Sequence, residues 1–312
     1  MNLRHGLTRL LALACFSAAV LYGENDACLT HTALVAVTGK SGESAEGLTP
    51  ADFKVTVGGK AATVLSATPA DRPPRVVILV DASSNHDQYT WAATQGLVDE
   101  FLAGFPDAGD FTLLSFDDKV QRVIHESDRA ALQGTMAEMF SSGKRESEAG
   151  LADAIRQASA SFGAYRRGDA EFLITTSDHI SKEAEQALKQ QIAGGTRFSA
   201  ISFDQSRLPD PFPYGGQADV GNYVPLEAAA KSSGGLWMRF KTTHQDPAAS
   251  LRDARAGGKS IATVERKYLA LELKLPSPIT KTEKLKVELV RSGKGKAQEL
   301  FATYPQDLFP CQ

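Results

Sequence analysis

Asp81, Ser83 and Asn85 occupy alternate positions directly after the apolar run Val76-Val-Ile-Leu-Val80, and a second acid, Asp178, follows Phe172-Leu-Ile-Thr-Thr-Ser177. Carboxylate, hydroxyl and amide oxygens are the ligand types of a hard divalent cation such as Mg2+ or Mn2+, with water filling open positions. An apolar run without alternation suits a strand buried on both faces of a parallel sheet, and ligands of such sheets bind at the strands' carboxyl ends. The expectation from these residues is that Asp81, Ser83 and Asn85 share one loop where oxygen ligands gather around a cation. His86 and His179 lie beside these acids, but no HExxH or cysteine-rich spacing accompanies them. Ser83 and Ser84 lack a Gly-x-Ser-x-Gly elbow, and no glycine-rich phosphate loop is present, so no catalytic residues are assigned and the protein is read as a non-enzyme. Asp117 and Asp118 are read as a hairpin turn.

The elements that must position these residues alternate between strands and helices. After the first strand, Leu97, Phe101, Leu102 and Phe105 fall at helical intervals within 91–105. Phe111–Phe116 is a buried strand, and Val120–Ile124 returns as an antiparallel edge. Helical spacing resumes from Ser127 and again over Leu151–Phe162. Strand 172–176 carries Asp178, and then come helix 182–192, strand 197–203, helix 226–231, strand 236–240 and a closing helix, 246–256. This order predicts an α/β fold with a doubly wound, mostly parallel sheet. Residues 204–223 interrupt it as a long loop rich in proline and glycine that holds Phe212, Tyr214 and Tyr223. Loops of that length at a strand's carboxyl end are often functional. Its aromatics either anchor a protein partner or pin the loop to the domain.

Flanking segments have a different pattern. Residues 32–38, 52–57 and 62–68 alternate apolar and polar side chains between glycine-containing turns, as do 268–275, 283–290 and 297–302. These are half-buried antiparallel strands, expected to form a small sandwich-like β module from both ends of the chain. The organisation expected is 1–23 leader, 24–70 amino-terminal strands, 71–258 α/β unit, and 259–312 carboxy-terminal strands.

Two motifs carry a family resemblance. The loop at Asp81 resembles the Asp-x-Ser-x-Ser of the metal-dependent adhesion site in von Willebrand factor A domains, with Asn85 in place of the last serine. The family's threonine loop corresponds to Glu148-Ala-Gly-Leu-Ala-Asp-Ala-Ile155, so Ala149 replaces the ligating threonine, and Asp178 matches the second acid. The segment Gly47-Leu-Thr-x-x-Asp-Phe-x-Val-x-x-Gly-Gly-Lys60 is similar to the amino-terminal module of exported bacterial proteins called VWFA-related. The resemblance implies an exported interaction module with a degenerate metal site that binds a protein partner. The alternative is a metal-free assembly module using the 204–223 loop or the β strands as its contact surface.

Met1 to about Gly23 reads as a secretory leader, with Arg4 and Arg9 before the apolar run Leu10–Leu21. That implies a periplasmic or extracellular location, and no later segment is long and apolar enough to span a bilayer. Beyond the leader the cysteines are Cys28 and Cys311, an even pair that favours a disulfide in an exported chain. On the chain-entropy model such a bridge contributes about 4 kcal/mol. With 42% hydrophobic residues, 23% charged residues and a formal net charge of −3, the chain can build a sizeable core. Its dispersed Lys and Arg offer no nucleic-acid footprint.

Overall fold

The computed structural model describes residues 28–40, 43–70, 73–83, 88–106, 108–139, 148–163, 168–176, 180–205, 224–242, 246–290 and 299–311. In chain order the strands are β1 (Thr30–Gly39), β2 (Phe53–Val57), β3 (Lys60–Pro69), β4 (Arg75–Asp81), β5 (Ala108–Phe116), β6 (Val120–Asp128), β7 (Ala170–Thr175), β8 (Arg197–Gln205), β9 (Trp237–Thr242), β10 (Leu269–Lys274), β11 (Glu283–Leu289), β12 (Leu300–Thr303) and β13 (Asp307–Leu308). The α-helices are α1 (Gln88–Ala103), α2 (Arg129–Met139), α3 (Glu148–Phe162), α4 (Lys182–Ala193), α5 (Pro225–Ser233) and α6 (Pro247–Arg266).

The central sheet has six strands in the order β6-β5-β4-β7-β8-β9. Every adjacent pair is parallel except β5–β6, which forms the antiparallel edge expected from the sequence. Because side chains alternate across a strand, β4 sends Val76, Ile78 and Val80 to one face and Val77 and Leu79 to the other. The first face is covered by α1, α2 and α6, and the second by α3, α4 and α5. Burial on both faces is why β4 and β7 read as unbroken apolar runs. At the sheet's amino end, Arg75 Nε donates to Asp169 Oδ1 at 2.9 Å and ties β4 to the approach of β7.

The closing helix is longer than expected. Gly257-Gly258 reads as a helix end, yet α6 runs on to Arg266, so the segment boundary expected at 258 falls inside a helix. Packing overrides the propensity cost of glycine here. A Cβ on Gly258 would lie 2.2 Å from Leu97 O in α1, and one on Gly257 would lie 2.6 Å from the Phe240 ring, so only glycine permits this approach.

Strands from both ends of the chain interleave in a seven-stranded sheet, order β12-β1-β10-β3-β2-β11-β13, with every adjacent pair antiparallel. The expected sandwich is therefore observed as one sheet. Ala33, Val35, Val37, Val55, Leu271, Leu273, Leu285 and Val287 form a single cluster, and β11 also lies against β12. Strands distant in the order can share a core only if the sheet curls over its own inner face. The β2–β3 hairpin turns through Gly58 (φ 56°) and Gly59 (φ 79°), the paired positive values of a tight turn matched to strand twist.

The two sheets meet around a buried ion pair. Arg197 of β8 is 2% exposed, and its Nη2 donates to Val264 O at 2.8 Å while its guanidinium lies 4.8 Å from the centre of the Tyr268 ring. Glu265 is fully buried beside it (Nε to Oε2, 3.5 Å) and accepts from Ser199 Oγ at 2.5 Å. On its outer face β1 places Leu34 and Ala36 against Val264 and Tyr268.

Candidate functional site

β4 lies between β5 and β7, and the connections leaving its two sides cover opposite faces of the sheet. A reversal of this kind opens a crevice at the strands' carboxyl ends. Asp81 is the last residue of β4 and is fully buried in that crevice. Its Oδ1 accepts from Ser83 N at 2.9 Å. Its Oδ2 accepts from Thr176 Oγ1 at 2.8 Å, Thr176 N at 3.2 Å and Thr175 Oγ1 at 3.4 Å. A buried carboxylate is tolerated only with such compensation.

Ser83 is left differently. It is 3% exposed, and among the described residues its Oγ has no hydrogen-bond partner. A buried hydroxyl without a partner costs about 1–3 kcal/mol, so the position suits an additional ligand. In donor type, an orphaned hydroxyl oxygen beside a carboxylate fits a hard cation.

A second carboxylate reaches this rim from β5. Residues 117–119 form the hairpin between β5 and β6, with Asp117 N donating to Lys119 O at 3.0 Å. Asp117 is nevertheless fully buried, and its Oδ1 accepts from Lys119 N at 3.2 Å and from Gln121 Nε2. Its hydrogen bond to the exposed Asp118 holds the Asp118 carboxyl above the usual carboxylate range. Ala82 N donates to Phe116 O at 2.7 Å and so joins the tips of β4 and β5. The first turn of α3, which contains Ala149, rests on this hairpin, because a Cβ on Gly150 would lie 2.2 Å from Asp117 O.

Four elements thus converge at one rim: the ends of β4, β5 and β7 and the start of α3. Asn85, Asp178, His86, His179, Phe212, Tyr214 and Tyr223 lie outside the described residues. Thr176 is the last described residue before Asp178. Among the described residues, no group of three or more His, Cys, Asp or Glu side chains could hold a metal ion, and no helix is long and apolar enough to cross a membrane. Cys28 and Cys311, expected as a disulfide, are present as neighbouring thiols.

No protein-family model and no curated protein matches the sequence. Among solved structures, a von Willebrand factor type A protein from Catenulispora acidiphila aligns at 11% identity over 88% of this chain and 74% of its own, with a TM-score of 0.44. The protein BatB from Bacteroides thetaiotaomicron aligns at 17% identity over 60% of this chain and 98% of its own, TM-score 0.42. The VWA domain of SpRpn10 aligns at 11% identity over 60% and 98%, TM-score 0.43. The chain is similar to von Willebrand factor A domains. Thr175 and Thr176 were not singled out from the sequence, although two hydroxyl residues closing an apolar strand are a readable sign of a polar rim. The burial of Asp117 left no such sign, since a hairpin turn accounts for an Asp-Asp pair by itself.

Proposed function

We propose that the protein is an exported, non-enzymatic module that binds a protein partner at the carboxyl-end rim of its A-like unit. The observation carrying this reading is the buried Ser83 hydroxyl, without a partner among the described residues, beside the Asp81 carboxylate at the crevice. Asp81 and Ser83 would hold Mg2+ or Mn2+, assisted by Asn85 and Asp178 from the adjoining loops, with Ala149 leaving the threonine's place to water. When bound, the cation supplies an open coordination position for a carboxylate of the partner. The chain's own groups prepare that position: Ser83 N and the Thr176 hydroxyl orient the Asp81 oxygens. Phe212, Tyr214 and Tyr223 of the 204–223 segment would supply aromatic contacts at the same rim.

A second reading rests on one specific observation. Asp81 already accepts from Ser83, Thr175 and Thr176, so its charge is matched by protein donors without a metal. On that reading the rim is a metal-free contact surface. Calorimetric titration of chelator-treated protein with Mg2+ and Mn2+ separates the two. The cation reading expects a saturable heat that disappears in Ser83→Ala and Asp81→Ala. Absence of heat in the unaltered protein, with partner capture unaffected by chelator, selects the metal-free surface.

A further inference from the structure

The segment before β1 and the tail after β13 meet at a cluster that the rim does not involve. Cys28 lies two residues before β1, and Cys311 three residues beyond β13. The tail between β12 and Cys311 is held in place along its length. Gln306 N donates to Lys231 O at 3.0 Å, Leu285 N donates to Gln306 O at 2.9 Å, Leu308 enters the core of the curled sheet, and Phe309 packs against the α4–α5 side of the A-like unit. This path delivers Cys311 to the start of β1. There His31 Nε2 lies 3.7 Å from Cys311 Sγ and 3.2 Å from Cys28 O, and the neighbouring Cys28 thiol together with burial pushes the Cys311 thiol above its ordinary range. Cys28 is half-buried and Cys311 is exposed. His31 and Cys311 line a cleft of about 430 Å3 between β1, the turn from α4 into β8, and the tail.

We propose that Cys28 and Cys311 close to a disulfide by thiol–disulfide exchange, with Cys311 as the entering thiol and His31 as the group that stabilises its thiolate. Access sets the order, because an external disulfide reaches the exposed sulfur before the half-buried one. The Cys311 thiol loses its proton to solvent, and its thiolate, accepting from the His31 Nε2–H, attacks one sulfur of a low-molecular-weight disulfide such as oxidised glutathione. A mixed disulfide forms on Cys311 and one thiolate leaves. Cys28, as thiolate, then attacks the Cys311 sulfur and expels the second. The protein has given up two protons and two electrons, and the external disulfide has become two thiols. The bond ties the residues before β1 to the tail that carries Phe309, adding a covalent link to packing that the thiol state already shows.

The experiment is oxidation of the purified chain with oxidised glutathione, followed by peptide mapping without reductant. A peptide pair linked through Cys28 and Cys311 is expected, together with a rise in Tm of roughly 5–10 °C that reductant reverses. Cys28→Ala is expected to accumulate one glutathionyl group on Cys311. Cys311→Ser is expected to lose the oxidation-dependent rise. His31→Ala is expected to slow closure severalfold at neutral pH and to move the rate profile toward alkaline pH, a change that a purely structural role would not produce. The proposal is overturned if both thiols of the folded protein remain alkylatable after oxidant, or if the link joins two chains through Cys311. Should Cys28→Ala fail to fold, mapping of the unaltered chain decides the matter alone.

Discussion

Replacing Glu171 by glutamine is expected to remove a loss of stability that grows between about pH 5 and pH 8. Glu171 is the second residue of β7 and is fully buried, on the face covered by α3 and α4. Among the described residues, neither carboxylate oxygen has a hydrogen-bond partner. The amide that faces it, Gln191 Nε2, is already donating to Ile155 O at 2.7 Å and Ser159 Oγ at 2.5 Å. Burial therefore raises its pKa from 4.5 to about 8, with Gln191 offsetting the rise only in part. The folded protein holds this proton where the unfolded chain releases it, so the native state binds more protons over that window and stability falls as pH rises. At 1.36 kcal/mol per pKa unit, about 2–3 kcal/mol is lost between pH 5 and pH 7, and the full loss above pH 8 is about 5 kcal/mol. Urea denaturation of the unaltered protein and of Glu171→Gln at several pH values checks this. The difference isolates Glu171 from surface carboxylates, whose contributions run the other way. The stability of the variant relative to the parent should climb by about 2–3 kcal/mol from pH 5 to pH 7. A difference that stays constant across that range would refute the reasoning.

Three further outcomes are expected from the packing. Glu265→Ala leaves the Arg197 guanidinium, 2% exposed, without its carboxylate, and should cost about 3–5 kcal/mol in chemical denaturation. A cost below 1 kcal/mol would mean water reaches Arg197 (about the value of an exposed pair). Gly150→Ala places a Cβ 2.2 Å from Asp117 O and 2.8 Å from Lys119 N, backbone atoms that cannot swing aside. It should cost about 1–3 kcal/mol and speed amide exchange in the 117–121 hairpin, and an unchanged exchange pattern would show that the contact is not rigid. Phe101→Ala removes a fully buried ring whose centre lies 4.7 Å from that of Phe172 and 5.0 Å from that of Phe105. A loss of about 3–5 kcal/mol is expected by thermal or urea unfolding.

Much of the architecture was legible because its causes are local. Unbroken apolar runs mark β4 and β7, strict alternation marks β10 and β11, and 3.6-residue spacing marks α1 and α3. The Asp-Asp turn between β5 and β6 followed from residue type alone. Where the reading fell short, a distant contact decided the outcome. Gly257-Gly258 is a stop signal in isolation, yet the close approach of α1 converts it into the middle of a helix. The curling of the β sheet onto itself could not be read from alternation, which gives the buried side of a strand but not what covers it.

The sequence by itself determined that acids and hydroxyls follow buried strands, because strand direction and sheet burial are written in consecutive side chains. Only the tertiary structure decided that Thr175 and Thr176 meet Asp81 across separations of 94 and 95 residues. It also decided that Asp117 is sealed beneath α3, that Glu171 is buried, and that Cys28 and Cys311 meet. Each depends on which strand tips and chain ends become neighbours, and that is fixed by the packing of whole layers rather than by any local pattern.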